Sequence, residues 1–168
     1  MKRALFIGRF QPFHNAHLID IKKVLKEVDE VVIAVGSSQE KNTLENPFSY
    51  NERKNMITKA LKSNKIKKYK IYPVPDVYND KKWVEYMKKN LPSCDLVYSG
   101  NLWTLKCFKK FDSKVKKIKL IKGISSTIVR NMMIEDKDWK KLLPKEISDY
   151  IKKTKGVERI KDIYSNKK

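Results

Sequence analysis

The sequence predicts an α/β fold: an open, parallel, five-stranded sheet with helices on both faces and a helical C-terminal part. Three observations point to it. Short β-type apolar runs alternate with longer segments whose apolar residues recur at helical spacing, which implies right-handed crossovers between parallel strands. Four of the five glycines, Gly8, Gly36, Gly100 and Gly123, fall at or just beyond the C-terminal ends of strand candidates, the edge at which open α/β sheets bind ligands. The 168 residues, 40% of them apolar, suit one domain with one sizeable core, and no repeat or Pro/Gly/Ser-rich linker divides them.

The elements follow in order. ALFIG (4–8) reads as the first strand, and Leu18, Ile21, Leu25 and Val28 form a helical stripe after it. EVVIAVG (30–36) is the second strand, bounded by Asp29 and the turn-prone Ser37-Ser38. SYNERKNMITKAL (49–61) opens with Ser49 and Glu52 in capping-box spacing and carries Met56, Ile57, Ala60 and Leu61 on its apolar face. KKYKIYPV (67–74) suggests the third strand, which Pro73 ends or makes an edge. Trp83, Val84, Met87 and Leu91 mark the next helix. DLVYSG (95–100) and VKKIKLI (115–121) complete the strands, with a short helix at 102–111 between them. Helical patterns occupy 126–134 and 144–155, and the last dozen residues are mostly charged. The reading is one domain over 1–168, with about 126–168 as its helical extension.

The formal net charge of +20 admits nucleic acid, anionic lipid or phosphorylated small molecules as partners without choosing among them. Non-catalytic nucleic-acid binding would interleave basic residues with exposed aromatics, whereas the aromatics here sit in motifs or apolar stripes. Only five of 39 basic residues are arginine, so lysine sets a heavily solvated surface. Cys94 and Cys107 have no metal-ligand spacing and read as free thiols in a reducing cytosol. Arg9 interrupts the first apolar run too early for a signal peptide, and no run approaches membrane-spanning length, so a cytoplasmic location is expected.

Both histidines of the chain, His14 and His17, stand three apart in GRFQPFHNAH (8–17). Alone, such a pair suits core, surface or half of a zinc site, although no suitably spaced further ligand exists, so no metal-ligating set is assigned. In context, a strand, a glycine, a loop with Arg9 and then two imidazoles entering a helix describe a phosphate site beside free helix N–H groups.

GRFQPFHNAH resembles the signature of the HxGH-motif nucleotidyltransferase superfamily, in the form seen in archaeal-type nicotinamide-nucleotide adenylyltransferases. VGSSQEKNTLENPFSYNER (35–53), DLVYSGN (95–101), GISSTIVRNMM (123–133) and KGVERI (155–160) are similar to further motifs of that family, in order along the chain. Two positions depart from it: Ala16 stands where the motif has glycine, and Asp80 where an asparagine precedes the tryptophan by three, with Asn79 one residue earlier.

The resemblance implies a Rossmann-like fold and attack of the 5′-phosphate of nicotinamide mononucleotide on the α-phosphorus of ATP, giving NAD and pyrophosphate. It implies catalytic roles for His14, His17, Arg53 and Arg130. ATP would meet Gly8, Arg9, Phe10, His14, His17, Ser125, Ser126, Thr127 and Arg130. The mononucleotide would meet Ser37, Asn46, Asn79, Asp80, Trp83, Gly100 and Asn101. Mg²⁺ or another divalent cation would come with ATP, held largely by substrate oxygens and water. A homo-oligomer is also implied.

Arginine usage points the same way, since Arg9, Arg53 and Arg130 lie inside the matched motifs of a lysine-rich chain. Arg53 could instead pair with a helix carboxylate, and Trp83 could be core. The rival reading is another superfamily enzyme, a phosphopantetheine adenylyltransferase or a cytidylyltransferase; ENPF, YSGN and the extended GRFQPF argue against it.

Overall fold

The computed structural model describes residues 1–166. In chain order they form β1 (Arg3–Gly8), α1 (Asn15–Val24), β2 (Glu30–Val35), α2 (Tyr50–Ser63), β3 (Tyr69–Pro73), α3 (Asp80–Asn90), β4 (Leu96–Ser99), α4 (Leu102–Lys109), β5 (Val115–Lys117), α5 (Ser126–Ile134), a single 3-10 turn at Lys140–Leu142, α6 (Lys145–Lys153) and α7 (Gly156–Ser165). The chain divides into two compact units.

The first unit comprises Met1–Gly8, Asp20–Ser38 and Lys68–Leu120 and contains the sheet. Its strands run in the order β3-β2-β1-β4-β5, every pair parallel. Strands β1, β2 and β4 are almost wholly buried, as central parallel strands covered on two faces must be. One face of the sheet, with Leu5, Ile7, Val32, Ala34 and Val97, packs with Trp83, Val84 and Met87 of α3 and Cys107 and Phe108 of α4. Removing side chains of this size from water stabilises the fold by about 1.5–3 kcal/mol each. The order reverses between β1 and β4, and at that crevice Gly8, Gly36 and Gly100 close or follow their strands.

Proline ends β3, and β3 is an edge, so both readings of Pro73 hold. The fifth strand is shorter than its apolar pattern suggests and stops at Lys117. Its one partner, β4, ends at Ser99, whose carbonyl accepts from Ile118 N–H at 3.0 Å; beyond it no neighbour remains to pair with. Gly123 is therefore six residues past the strand rather than at its end, in a turn that needs its φ of +82°.

The second unit comprises Arg9–Ile19, Gln39–Lys67 and the chain from Ile121. Here α2 packs on α6, α6 on α7 and α5 on α7. Phe10, Phe13, Phe48, Met56, Ile57, Leu61, Met133, Ile147, Ile151 and Ile160 are buried in it. The capping box at Ser49 and Glu52 forms as its spacing predicts. Helix α7 occupies the charged terminal stretch, where the sequence pattern marks no separate helix.

Candidate active site

In the second unit the candidate phosphate residues gather around one loop, 9–14, that leads into α1. His14 and His17 stack with ring centroids 3.6 Å apart and planes 12° apart. Phe10 meets His17 edge-on at 4.9 Å, and Phe13 lies at 5.3 Å, so the His17 ring is packed in place. His17 Nδ1 accepts the backbone N–H of His14 at 3.2 Å. That bond leaves the proton of a neutral ring on Nε2, which is then a donor. His14 Nδ1 is buried and has no hydrogen-bond partner among the described residues. Burial lowers the His14 pKa to about 4. Burial, with His14 beside it, also holds His17 well below its ordinary value. Both imidazoles are therefore neutral at pH 7, each with one N–H to give.

Three side chains fix the loop that ends in His14 and leads into the helix of His17. Gln11, buried between Phe10 and Pro12, donates from Nε2 to the Phe48 carbonyl at 2.8 Å and accepts the Phe48 N–H at 3.0 Å. Arg53 is fully buried; its guanidinium donates to the Arg9 carbonyl at 2.8 Å and to the Ser49 carbonyl at 3.3 Å. Arg130 donates to the Gln11 carbonyl at 2.8 Å and to Thr127 Oγ1 at 3.4 Å. Burial, and then the like charge of Arg9, push the Arg130 pKa down. A bound anion would relieve that repulsion.

The Ser125–Thr127 stretch opens α5. Ser125 caps the helix by accepting Ile128 N–H, and Ser126 Oγ donates to the Pro12 carbonyl at 3.0 Å. Because Ser125 and Thr127 accept, each retains a hydroxyl hydrogen, whereas that of Ser126 is engaged. Asn46 accepts the Thr43 N–H at its carbonyl, and its buried Oδ1 has no hydrogen-bond partner among the described residues.

The remaining candidates belong to the first unit. Ser37, in the left-handed region with φ of 47°, donates from Oγ to Asp76 at 3.1 Å. Asn79 caps α3 by accepting Lys82 N–H, and Asn101 caps α4 by accepting the N–H groups of Trp103 and Thr104. Gly100 lies against Leu120, whose Cδ2 would be 3.0 Å from an added Cβ. Burial, and then the charge of the Asp80 carboxylate, push the Cys107 thiol up. Trp83 is only 6% exposed, packed on Phe108 and on Trp103. Gly8, which ends β1, accepts Gly36 N–H at its carbonyl.

Sequence reasoning left out Gln11, although a glutamine set among Phe10, Pro12 and Phe13 is the signal of a buried amide that needs partners. It also left out Trp103 and the Glu52–Arg159 ion pair of 2.8 Å. Among the described residues no group of three or more His, Cys, Asp or Glu side chains converges as a metal site. No helix among them is long and apolar enough to cross a membrane.

A family model described as cytidylyltransferase-like matches residues 5–142. The chain is 39% identical over 171 residues to the nicotinamide-nucleotide adenylyltransferase of Pyrococcus furiosus, covering 99% of this chain and 91% of that one. Its identity to the nicotinamide-nucleotide adenylyltransferase of Methanococcus aeolicus is 42% over 161 residues, covering 95% and 93%. Among solved structures it is similar to a bifunctional NMN adenylyltransferase/ADP ribose pyrophosphatase from Francisella tularensis complexed with AMP and a Mn ion. That likeness has a TM-score of 0.82 at 25% identity and covers 98% of this chain and 52% of that one, so the chain spans about half that protein's length.

Proposed function

This chain belongs to the cytidylyltransferase-like family, among its archaeal-type nicotinamide-nucleotide adenylyltransferases, and on that premise we propose how its residues divide the reaction. The enzyme transfers the adenylyl group of ATP to nicotinamide mononucleotide. A 5′-phosphate oxygen of the mononucleotide attacks the α-phosphorus of ATP, the bond from that phosphorus to the bridging oxygen breaks, and pyrophosphate leaves with that oxygen. Nucleophile and leaving group are both phosphates, so no covalent enzyme intermediate is needed. The protein's work is to align two polyanions and to stabilise charge developing on their oxygens.

The observation that carries this reading is the pair of packed, neutral imidazoles on a loop gripped by Arg53 and Arg130. His14 and His17 donate N–H groups to ATP phosphates. Arg9, Arg130, the hydroxyls of Ser125 and Thr127 and the first amides of α5 add positive potential. Gly8 and Phe10 shape the loop backbone. Arg53 serves catalysis through the loop carbonyl it holds. Ser37, Asn46, Asn79, Asp80, Trp83, Gly100 and Asn101 serve the mononucleotide. A divalent cation such as Mg²⁺, when bound with ATP, would offset the charge of the phosphates; no carboxylate set among the described residues is assigned to hold it. The reading includes a cytoplasmic homo-oligomer.

Product analysis tests it. With ATP, Mg²⁺ and nicotinamide mononucleotide, NAD and pyrophosphate should appear in equal amounts. Parallel reactions with nicotinate mononucleotide, phosphopantetheine or CTP should be slower. No dinucleotide from either pyridine mononucleotide would end the proposal.

A further inference from the structure

We infer that Trp103 supplies the aromatic face on which the ring of nicotinamide mononucleotide seats, with Trp83 as the layer that supports it. The inference rests on the reaction proposed above and names a residue that recognises the acceptor's ring.

Trp83 offers little surface: at 6% exposure it belongs to the core with Val84, Met87 and Phe108. Trp103, by contrast, is 48% exposed. Its ring packs on Trp83 at a centroid distance of 5.1 Å with 37° between planes, so one side is held and the other is available. The backbone beneath it is fixed as well, because Asn101 Oδ1 accepts the Trp103 N–H at 2.8 Å. Trp103 thus stands on the first turn of α4, two residues past Asn101 and in contact with Trp83, both of which the proposed function gives to the mononucleotide.

The chemistry of this surface suits a pyridinium. Nicotinamide joined through its ring nitrogen to ribose carries a permanent positive charge, and an indole face, negative at its centre, attracts such a cation more strongly than other aromatic side chains do. Cys107 lies one turn along α4 from Trp103, at the i+4 spacing that puts two residues on one helix face. The Asp80 carboxylate is near enough to Cys107 to act on its thiol, and it adds negative charge beside that face. Leu102 and Leu120 are exposed as well, and Leu120 lies against Gly100. An apolar rim of this kind keeps water from a seated ring.

Steady-state kinetics with Trp103→Ala and Trp103→Phe test the inference, with both substrates varied and assembly followed by size-exclusion chromatography. Stacking of a base on an aromatic side chain predicts that Trp103→Ala raises KM for nicotinamide mononucleotide about five- to hundredfold. KM for ATP should stay within about twofold, the margin of a substrate that does not touch the ring. Trp103→Phe should recover most of the loss, and the quenching of tryptophan fluorescence by the mononucleotide should shrink in it. An unchanged KM for the mononucleotide in Trp103→Ala, with NAD still produced, overturns the inference and leaves the reaction standing. A rise in both KM values together with loss of assembly also overturns it, and assigns the ring to an interface between copies. If the unsubstituted enzyme makes no dinucleotide, the reaction itself falls and the inference with it.

Discussion

Around the histidine pair, the side chains that resemble phosphate ligands are themselves held by protein. Arg53 and Arg130 grip loop carbonyls, Gln11 is locked to both backbone groups of Phe48, and His17 is boxed by Phe10, Phe13 and His14. The acceptor candidates at the starts of α3 and α4 are arranged otherwise. Asn79 and Asn101 are helix caps, Asp80 lies on the surface, and Trp103 is half in solvent. The contrast separates two kinds of task. Stabilising charge on transferring phosphates requires donors fixed before the substrate arrives, because reorganising them would consume the gain. Distinguishing one ring from another requires a surface that can change without disturbing the sheet, and helix starts after strands provide it.

Donors fixed in advance make His17 the most sensitive position of the pair. Its replacement by alanine removes a preorganised donor and should lower turnover by about tenfold to a thousandfold with the far-UV spectrum intact. Near-normal turnover would mean that the imidazole stack is packing and not catalytic machinery.

Arg53→Lys and Arg130→Lys should diverge. Both retain a charge and lose the planar fork. Arg53 bonds two carbonyls from a fully buried position, so its substitution should destabilise the protein by about 1.5–3 kcal/mol, with turnover falling as the loop loosens. Arg130→Lys should depress turnover at saturating ATP with a smaller change in Tm. An unaltered Tm for Arg53→Lys would remove it as the loop's anchor.

Acid should expose the histidine pair. The folded pKa of His14, about 4, lies below its ordinary 6.5, and that of His17 is lowered too. The unfolded chain therefore binds more protons between these values. The stability this gives is complete above pH 6.5 and is lost as pH falls towards 4. Urea midpoints at pH 8, 6.5 and 5 should show the decline, and His14→Phe should flatten it; equal slopes in the two proteins would place the titration elsewhere.

The smallest effect concerns Asp80. A carboxylate facing the acceptor ring, as proposed for Asp80, should repel nicotinate and tolerate the neutral amide, so Asp80→Asn should narrow the kcat/KM preference for nicotinamide mononucleotide over nicotinate mononucleotide. An unchanged ratio would show that Asp80 does not face the ring.

The sheet was legible because buried strands must be apolar, and α2 because Ser49 and Glu52 advertise its start. Helix α7 was not, for its N-cap is Lys155 in the left-handed region, with no side-chain cap to read. The overlong fifth strand has the same kind of cause: the apolar run is local, but where it stops is decided by the length of β4. At the site, scarcity exposed the histidines and arginines. Sequence could not tell an arginine that bonds phosphate from one that bonds a carbonyl, since both need the same fork. Nor could it tell which of two tryptophans keeps a free face.

Glu52 sits where two parts of the chain made far apart in time meet. Burial pushes its carboxyl up, but bonds from Arg159 and the Ser49 N–H hold it below the ordinary carboxylate range. The same group closes the start of α2 and receives the guanidinium of α7. During synthesis on the ribosome, α2 emerges about a hundred residues before Arg159, at a rate near ten residues per second. For those seconds its first turn carries a carboxylate without its counter-charge. The loop that ends in His14 hangs from that same turn through Arg53, so the nascent chain has this loop fully braced only once Arg159 has left the tunnel.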